Sequence, residues 1–402
     1  MTPEGESVIE KICGKVLGGD ASKTVVDIAT RIVMGHSITV PVESLNDPKF
    51  LPVANGIVDL EKLEITPYSP TPTPSRLFTK RVEIEVDVGV LDLIKSGKLT
   101  NDYWRTVAPN WMAFLERFYD KENRERLEDL FGSIFWPRPV KKKIGFIVGD
   151  PDTGKSTLVQ VLEGVLGPLT AKLSLDALSS DRFSIIELYG VRVNISSERP
   201  RSKVDVEVMK RLSGGDPVTA NRKHRSYFSF TPYATLIFLM NRLPMFREVD
   251  EAFLDRVYLV FTQNPLSREE RDPSFAERLL AERKQILHWM LWCYWRLKQR
   301  GMRYRNDLPL EDKRESIEES SSPIFEFVKD ECIEDPAWRV ERRRLYEAYI
   351  EWCREKGYEG VARRTFFEVM RTRYRETKVR GERYFVGLTL REGVEAQARL
   401  IE

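Results

Sequence analysis

The segment KIGFIVGDPDTGKSTLVQVLEGVLG, residues 143–167, constrains this chain more than any other. An apolar run stops at Gly149, a polar loop follows, and Gly154 is succeeded at once by Lys155 and Ser156, fitting G-x-x-x-x-G-K-[ST]. The spacing has a physical purpose. Gly149 and Gly154 let the backbone turn tightly enough to aim successive N–H groups at a phosphate. A helix opening near Gly154 adds the positive end of its dipole. A strand before the loop and a helix after it separate this reading from a chance match in an ordinary strand–turn–helix. The expected ligand is ATP or GTP, with ATP the working assignment, cradled by Gly149, Asp150, Pro151, Asp152, Thr153, Gly154, Lys155, Ser156 and Thr157. Lys155 would reach the β- and γ-phosphates, and Ser156 would set its hydroxyl on Mg²⁺.

At 402 residues the chain has room for two or three domains, and 42% hydrophobic residues suit folded cores. The net charge is only +2, so any basic surface must be local. Cys13, Cys293, Cys332 and Cys353 form no C-x-x-C pair, and with three His they give no zinc-site spacing. They read as reduced, buried thiols of an intracellular protein working in the cytoplasm of a host cell. No apolar run approaches the length of a membrane span, and no signal peptide opens the chain.

Residues 6–18 and 21–34 read as short amphipathic helices. Asn-Gly within VANGIVDL suits a turn between short strands, and the prolines from 67 to 74 exclude helix there. Trp111, Phe114, Leu115 and Phe118 recur three to four apart and predict one buried helix face. From Lys143 the pattern changes to apolar runs at Ile144–Val148, Val191–Ile195, Thr235–Met240 and Val257–Phe261. These predict a mainly parallel sheet covered by helices, an α/β fold. A helical stretch over 267–300 closes that core. The acidic segment LEDKRESIEESSSP reads as a linker to a C-terminal piece with helices near 323–333, 341–356 and 363–374. Two strands near 376–390, turning at Gly381, complete a winged-helix pattern there.

Other residues fit a triphosphatase. Glu198 follows an apolar strand and could orient water or hold Mg²⁺ through water, although a surface acid ending a strand looks the same. Asp181 and Glu187, ahead of that strand, are alternatives. Asn241 ends the strand ATLIFLMN, where an amide can touch a γ-phosphate, or simply terminate a strand as Asn commonly does. Arg256 stands just ahead of a fourth strand, placed either to stabilise a neighbour's transition state or to face solvent. Residues 218–230 alternate like a hairpin whose tip carries Arg222, Lys223, His224 and Arg225 beside Tyr227 and Phe228. Such a tip can grip a nucleic-acid backbone, and a solvated basic turn is its alternative.

The order of phosphate loop, strand-ending Glu, Gly-Gly-Asp hairpin, strand-ending Asn and Arg before a strand resembles the superfamily 3 helicases. More narrowly it resembles the phage, plasmid and poxvirus primase-helicase branch, within the AAA+ ATPases. The supporting motifs are NGIVDL at 55–60, Trp111 with Phe114 and Leu115, Asn241-Arg242-Leu243-Pro244, and LYEAYIEWC at 345–353. Together they run from about 50 to 390. Two departures stand out: Ser197-Glu198-Arg199 lacks the paired acids of many relatives, and Asp255-Arg256 has one arginine where relatives often have two.

The resemblance implies an ATP-dependent DNA helicase that closes into a homo-oligomeric ring, a hexamer, around single-stranded DNA. Lys155 and Ser156 bind phosphate and Mg²⁺, Glu198 is the second acidic motif, Asn241 senses the γ-phosphate, and Arg256 acts from the adjacent subunit. Lys223 and His224 sit on the hairpin gripping the strand. Residues 1–110 would be a helical collar, 111–310 the AAA+ core, and 323–402 a winged-helix-like domain. Eight arginines, Arg342, Arg343, Arg344, Arg363, Arg364, Arg371, Arg373 and Arg375, suit this last domain to DNA, as duplex or origin contact or loose tethering, although small winged helical domains bind partners as often. Residues 1–110 hold no compact acid-and-His set of a primase. The chain is then the helicase half of a larger primase- or polymerase-bearing protein, or a stand-alone helicase. A nucleotide-gated switch or scaffold that does not unwind is the competing reading from another class. A small-molecule kinase would explain neither the hairpin nor the C-terminal piece.

Overall fold

The structure is a computed structural model that describes residues 45–69, 76–138, 143–180, 184–198, 200, 203–220, 228–321, 323–358, 360–379 and 381–391. The two helices read over 6–18 and 21–34 lie outside the described residues. The chain divides into two units, Met1–Asp47 with Tyr68–Thr79 and Pro48–Pro67 with Lys80–Glu402. All the elements that follow belong to the second.

Strands β1 (Phe50–Val53), β2 (Gly56–Asp59) and β3 (Glu64–Thr66) form an antiparallel sheet. The turn expected from Asn-Gly is Ala54-Asn55, with Val53 facing Gly56. Asn55 accounts for its own presence: its side chain donates to the Val86 carbonyl and accepts the Val86 N–H, both at 2.9 Å. Four helices follow, α1 (Val88–Lys95), α2 (Asn101–Val107), α3 (Pro109–Phe118) and α4 (Lys121–Ser133). Helix α3 opens on a proline at its first turn, where no N–H is missed. The Glu282 carboxylate accepts the freed N–H groups of Asn110 and Trp111, at 3.0 and 2.9 Å. Trp111, Phe114, Leu115 and Phe118 are all buried on one face, as their spacing predicts.

The centre is a five-stranded parallel sheet. In chain order its elements and covering segments are β4 (Ile144–Val148), α5 (Lys155–Leu166), β5 (Thr170–Ala171), α6 (Leu175–Ser180), β6 (Val193–Ser196), β7 (Val204–Asp205), α7 (Val206–Gly214), β8 (Val218–Ala220), β9 (Phe228–Phe230), β10 (Thr235–Met240), β11 (Phe246–Arg247), α8 (Glu251–Arg256) and β12 (Val257–Phe261). Helices α9 (Phe275–Ala281) and α10 (Arg283–Gln299) complete the layer. The sheet order is β12-β4-β10-β6-β5. Alternate residues of the central strands feed two apolar clusters: Ile147, Ile237 and Val260 on one face, Phe146, Phe238 and Leu259 on the other. Burial on both faces is why these strands read as unbroken apolar runs.

Three predicted strands match residue for residue. The fourth begins at Val193 rather than Val191 and runs to Ser196; the buried Arg192 just before it donates its guanidinium to the carbonyls of Pro48 (2.9 Å) and Phe50. Helices α4 and α10 approach so closely that a Cβ on Gly132 would lie 2.8 Å from the Cys293 carbonyl. The helical stretch predicted over 267–300 begins only at Phe275 and is broken between Ala281 and Arg283.

The C-terminal part comprises α11 (Leu310–Ser321), α12 (Pro323–Glu331), β13 (Cys332–Glu341), α13 (Arg342–Lys356), α14 (Arg363–Arg373), β14 (Arg375–Val379) and β15 (Glu382–Leu390). Two sequence expectations need correction here. The acidic "linker" is helix α11: Ile317 is buried among the sheet's own core residues, and Lys313 is buried against Asp307 at 2.8 Å. Apart from Lys313, the charged residues among 311–318 lie on the solvated side of a helix that packs on the sheet rather than only bridging two parts of the chain. The expected hairpin is present, β14 against β15, but it belongs to a three-stranded sheet of order β13-β15-β14. Glu334-Asp335-Pro336 disguised the extra strand, and its pairing register shifts between Glu334 and Arg339. Cys293, Cys332 and Cys353 are buried free thiols.

Candidate functional site

Because the sheet is parallel throughout, the carboxyl ends of its strands meet at one edge, where open α/β sheets place their ligands. The glycine-rich loop starts there, from β4, which is flanked by β12 and β10. Gly149 donates its N–H to the Met240 carbonyl on one side (3.2 Å), and Thr262 donates to the Val148 carbonyl on the other (2.8 Å). Gly149 has no room for a side chain, since a Cβ would fall 1.8 Å from Thr262 Oγ1. The Thr262 hydroxyl donates to Thr153 Oγ1 (2.7 Å), whose own proton goes to the Asp150 carbonyl (2.8 Å), locking the curl of the loop. Asp152 and Gly154 adopt left-handed backbone, with φ of 62° and 76°.

Helix α5 begins immediately after, and no side chain caps its first turn. Its free N–H groups are therefore available to an anion. Lys155 folds back over the loop, its ammonium donating to the carbonyls of Gly149 (2.7 Å) and Asp150 and to Thr153 Oγ1 (3.2 Å). Burial pulls its pKa below the usual lysine value, against Asp150 and Asp152, which push it up. Such a cation gains by meeting phosphate.

Beside the loop lies a cleft of about 820 Å³ lined by Lys155, Ser156, Thr157, Gln160 and Asn241. Its other wall is apolar, with Ala113, Phe114, Phe118, Leu266, Pro273, Phe275 and Ala276. Arg117, Arg271 and Arg278 complete it, each paired: with Glu270 (3.0 Å), Asp152 (2.6 Å) and Asp272 (2.6 Å) respectively. An apolar slot joined to an anion cradle is the chemistry of a nucleotide site. The sequence reading missed this second wall. Phe114 reads from the sequence as part of a buried helix face and of the motif with Trp111 and Leu115, not as a cleft wall, and Arg271 and Arg278 stand in a stretch without a motif.

The structure brings Asn241 to the cleft with Lys155. Glu198 follows β6 by two residues at the same edge of the sheet, exposed, its N–H bonded to Ser196 Oγ at 3.3 Å. Strand β10 lies between β6 and β4, so roughly 10 Å of sheet separates it from the loop, and it is not among the residues lining the cleft. Arg256 is at the opposite edge. It ends α8 just before β12, level with Ile144, and donates to the Ala252 carbonyl at 2.6 Å. About 13 Å of strand separates it from the loop of its own chain. Strands β8 and β9 pair antiparallel, Ala220 against Phe228, which is the base of the expected hairpin. Its tip, with Arg222, Lys223, His224 and Arg225, lies outside the described residues.

In the C-terminal part the arginines are largely compensated. Arg342, Arg371 and Arg383 surround Glu376, at 2.9, 2.7 and 3.5 Å, while Arg343 pairs with Glu347, Arg364 with Glu368 and Arg373 with Glu334. Among the described residues, no helix is long and apolar enough to cross a membrane.

Comparison with known proteins follows the same lines. Residues 147–256 match a family of unknown function, DUF5906, and residues 319–379 match the family described as poxvirus D5 protein-like. The V13 protein of Sputnik virophage, which carries a provisional helicase name, is 30% identical over 37% of this chain, and the chain spans only 22% of that protein's length. Two structures of the NrS-1 C-terminal region are similar at 12% and 13% identity, with TM-scores of 0.42 and 0.43. They cover 95% and 96% of this chain and 90% of theirs. Through its motifs and its matches to the poxvirus D5 protein-like family and the virophage protein, the chain resembles the primase-helicases of the phage and poxvirus type.

Proposed function

We propose that this protein is the ATP-driven motor of a viral or plasmid replication helicase, working inside the host cell as a ring that moves along single-stranded DNA. The observation that carries the reading is the division of the sheet's two edges. Lys155, Ser156 and Asn241 line one cleft, whereas Arg256 stands at the far edge of the same sheet. A chain with its phosphate cradle and its candidate finger back to back can combine them only by meeting another copy, which a closed ring of six supplies.

In this superfamily 3, AAA+ reading, the cleft takes a nucleoside triphosphate with its base against Phe114, Phe118 and Phe275. Lys155 and the first N–H groups of α5 hold the phosphates. Asn241 touches the γ-phosphate, and Arg256 of an adjacent subunit stabilises charge in the transition state. The Ser156 hydroxyl, exposed in the cleft, would hold Mg²⁺, and Glu198, roughly 10 Å of sheet from the loop, would reach the ion only through bridging water. When bound, the ion neutralises phosphate oxygens. Residues 111–310 are the motor, and 1–110 the collar. Residues 323–402 act as a winged-helix-like DNA-contacting domain, with the hairpin tip at 222–225 gripping the strand.

ATPase rate with and without single-stranded DNA tests the proposal against its rival, a nucleotide-gated switch that does not travel. Stimulation by the polymer, abolished in Lys155→Ala, is expected of the motor. A rate indifferent to DNA would leave the switch.

A further inference from the structure

Helix α12 belongs to the C-terminal part by its packing. Ile324, Phe327 and Val328 are buried in a cluster drawn wholly from residues 324–390, where the Phe327 ring meets Tyr349, Trp352 and Phe366. Polar contacts fasten it there as well. Asp330 accepts the Trp352 indole N–H (3.3 Å), Glu326 accepts the Tyr358 hydroxyl (2.9 Å), and Arg391 donates to the Lys329 carbonyl (3.2 Å).

Another side of the same turn reaches the nucleotide cleft. The Lys329 ammonium pairs with the carboxylate of Asp150, the second residue of the phosphate loop. Glu326 lies 3.9 Å from the guanidinium of Arg242, the residue directly after Asn241. Three apart on a helix, Glu326 and Lys329 share a face. One turn of the C-terminal part thus touches both the loop that cradles phosphate and the strand end that carries Asn241.

This junction differs from the interior. The core clusters end at Ile317, the C-terminal cluster starts at Ile324, and no apolar cluster of the described residues spans the two. A contact made of one exposed and one largely covered ion pair, without a shared apolar core, is thin enough to rearrange. Its charge also matters to the ligand. Phosphate groups entering the loop come close to the Asp150 carboxylate, which opposes them unless a cation cancels it. Lys329 is that cation, and phosphate in turn draws its ammonium towards the loop.

We propose that α12 is a nucleotide-responsive clasp. Lys329, acting through Asp150, is a positioning residue for the phosphate loop, and bound nucleotide tightens the hold of the C-terminal part on the motor. The proposal rests on the nucleotide reading above. Linkage requires the effect to run both ways, so weakening the clasp weakens nucleotide binding.

The test uses the full chain and a fluorescent ATP analogue, measuring Kd for the wild type, Lys329→Ala, Lys329→Arg and Glu326→Gln, together with amide hydrogen exchange over 323–331. Lys329→Ala is expected to raise Kd about three- to tenfold, the worth of one charge-assisted contact, and Lys329→Arg to restore it. Glu326→Gln should raise Kd less. In the wild type, nucleotide should slow exchange along α12, and in Lys329→Ala it should not. Unchanged affinity in Lys329→Ala, or exchange in wild-type α12 that ignores nucleotide, overturns the clasp while leaving the phosphate loop intact. A wild type that binds no nucleotide overturns the phosphate-loop reading and this one with it.

Discussion

Gly154 lies against the ring of Phe114: a Cβ added to it would stand 2.7 Å from Phe114 Cε2 and 2.9 Å from Phe118. The aromatic face of α3 and the second glycine of the glycine-rich loop, forty residues apart in sequence, are thus two sides of one contact. The helix sets how far the loop can open, and the missing side chain sets how close the helix can come. Gly154→Ala should therefore suffer twice. The left-handed backbone, with φ of 76°, costs an alanine about 1–2 kcal/mol, and the methyl must displace a packed ring. Loss of nucleotide binding with a lowered melting temperature is expected. A variant binding the fluorescent analogue normally would show the loop to be looser than drawn.

His288 gives a pH dependence whose sign can be worked out. Its Nε2 accepts the Asp87 N–H at 2.9 Å. Burial first, and Lys284 second, pull its pKa from 6.5 down to about 4, against the opposing influence of Asp87. The unfolded chain takes up this proton near pH 6.5 and the folded chain does not. The contribution is complete above 6.5 and is lost as pH falls towards 4, by at most about 3 kcal/mol. His288→Gln keeps an acceptor without titrating. Its urea midpoint should fall less than that of the wild type between pH 7 and 4.5.

Arg305 closes a buried charge network. It bonds Glu128 and Asp129, each at 2.8 Å, while Arg296 pairs with Glu128 at 3.0 Å and Arg300 with Asp129. The two carboxylate side chains are 3% and 1% exposed, so they depend on these partners. Arg305→Ala should cost about 3 kcal/mol, as breaking a buried pair does, read as a lower denaturant midpoint at unchanged slope. A shift below about 0.5 kcal/mol, the worth of a surface pair, would mean that Arg296 and Arg300 suffice.

Trans action by Arg256 is tested by mixing. Arg256→Ala and Lys155→Ala subunits, each inactive alone, should regain part of the hydrolysis when combined, because some interfaces then unite an intact Lys155 with an intact Arg256. No recovery at any ratio would count against a finger reaching across.

The hairpin tip is tested by Lys223→Ala with His224→Ala. Basal ATPase should persist, while single-strand binding falls and becomes less sensitive to salt as phosphate contacts are lost. Unwinding at the wild-type rate would remove the tip from the mechanism.

Local pattern alone carried much of this protein. The tight loop over 149–154 was legible because its glycines answer a backbone requirement that no neighbour can replace. Strands 144–148, 235–240 and 257–261 were legible because burial on both faces writes an unbroken apolar run. Asn241 was legible for its position at the end of such a run. Tertiary structure decided the rest, since those contacts join residues far apart in the chain. Charge made 310–321 look like a linker, and only packing showed that Ile317 and Lys313 are buried. Nothing near Arg271, Arg278 or Lys329 marks them, because their meaning comes from Asp152, Asp272 and Asp150 beside them. Arg256 read as a candidate finger from order alone; that it stands at the other end of the strands from the glycine-rich loop follows from the parallel register of β12 on β4. Periodicity reports which way a side chain points within its own element, whereas a site is made where separate elements meet.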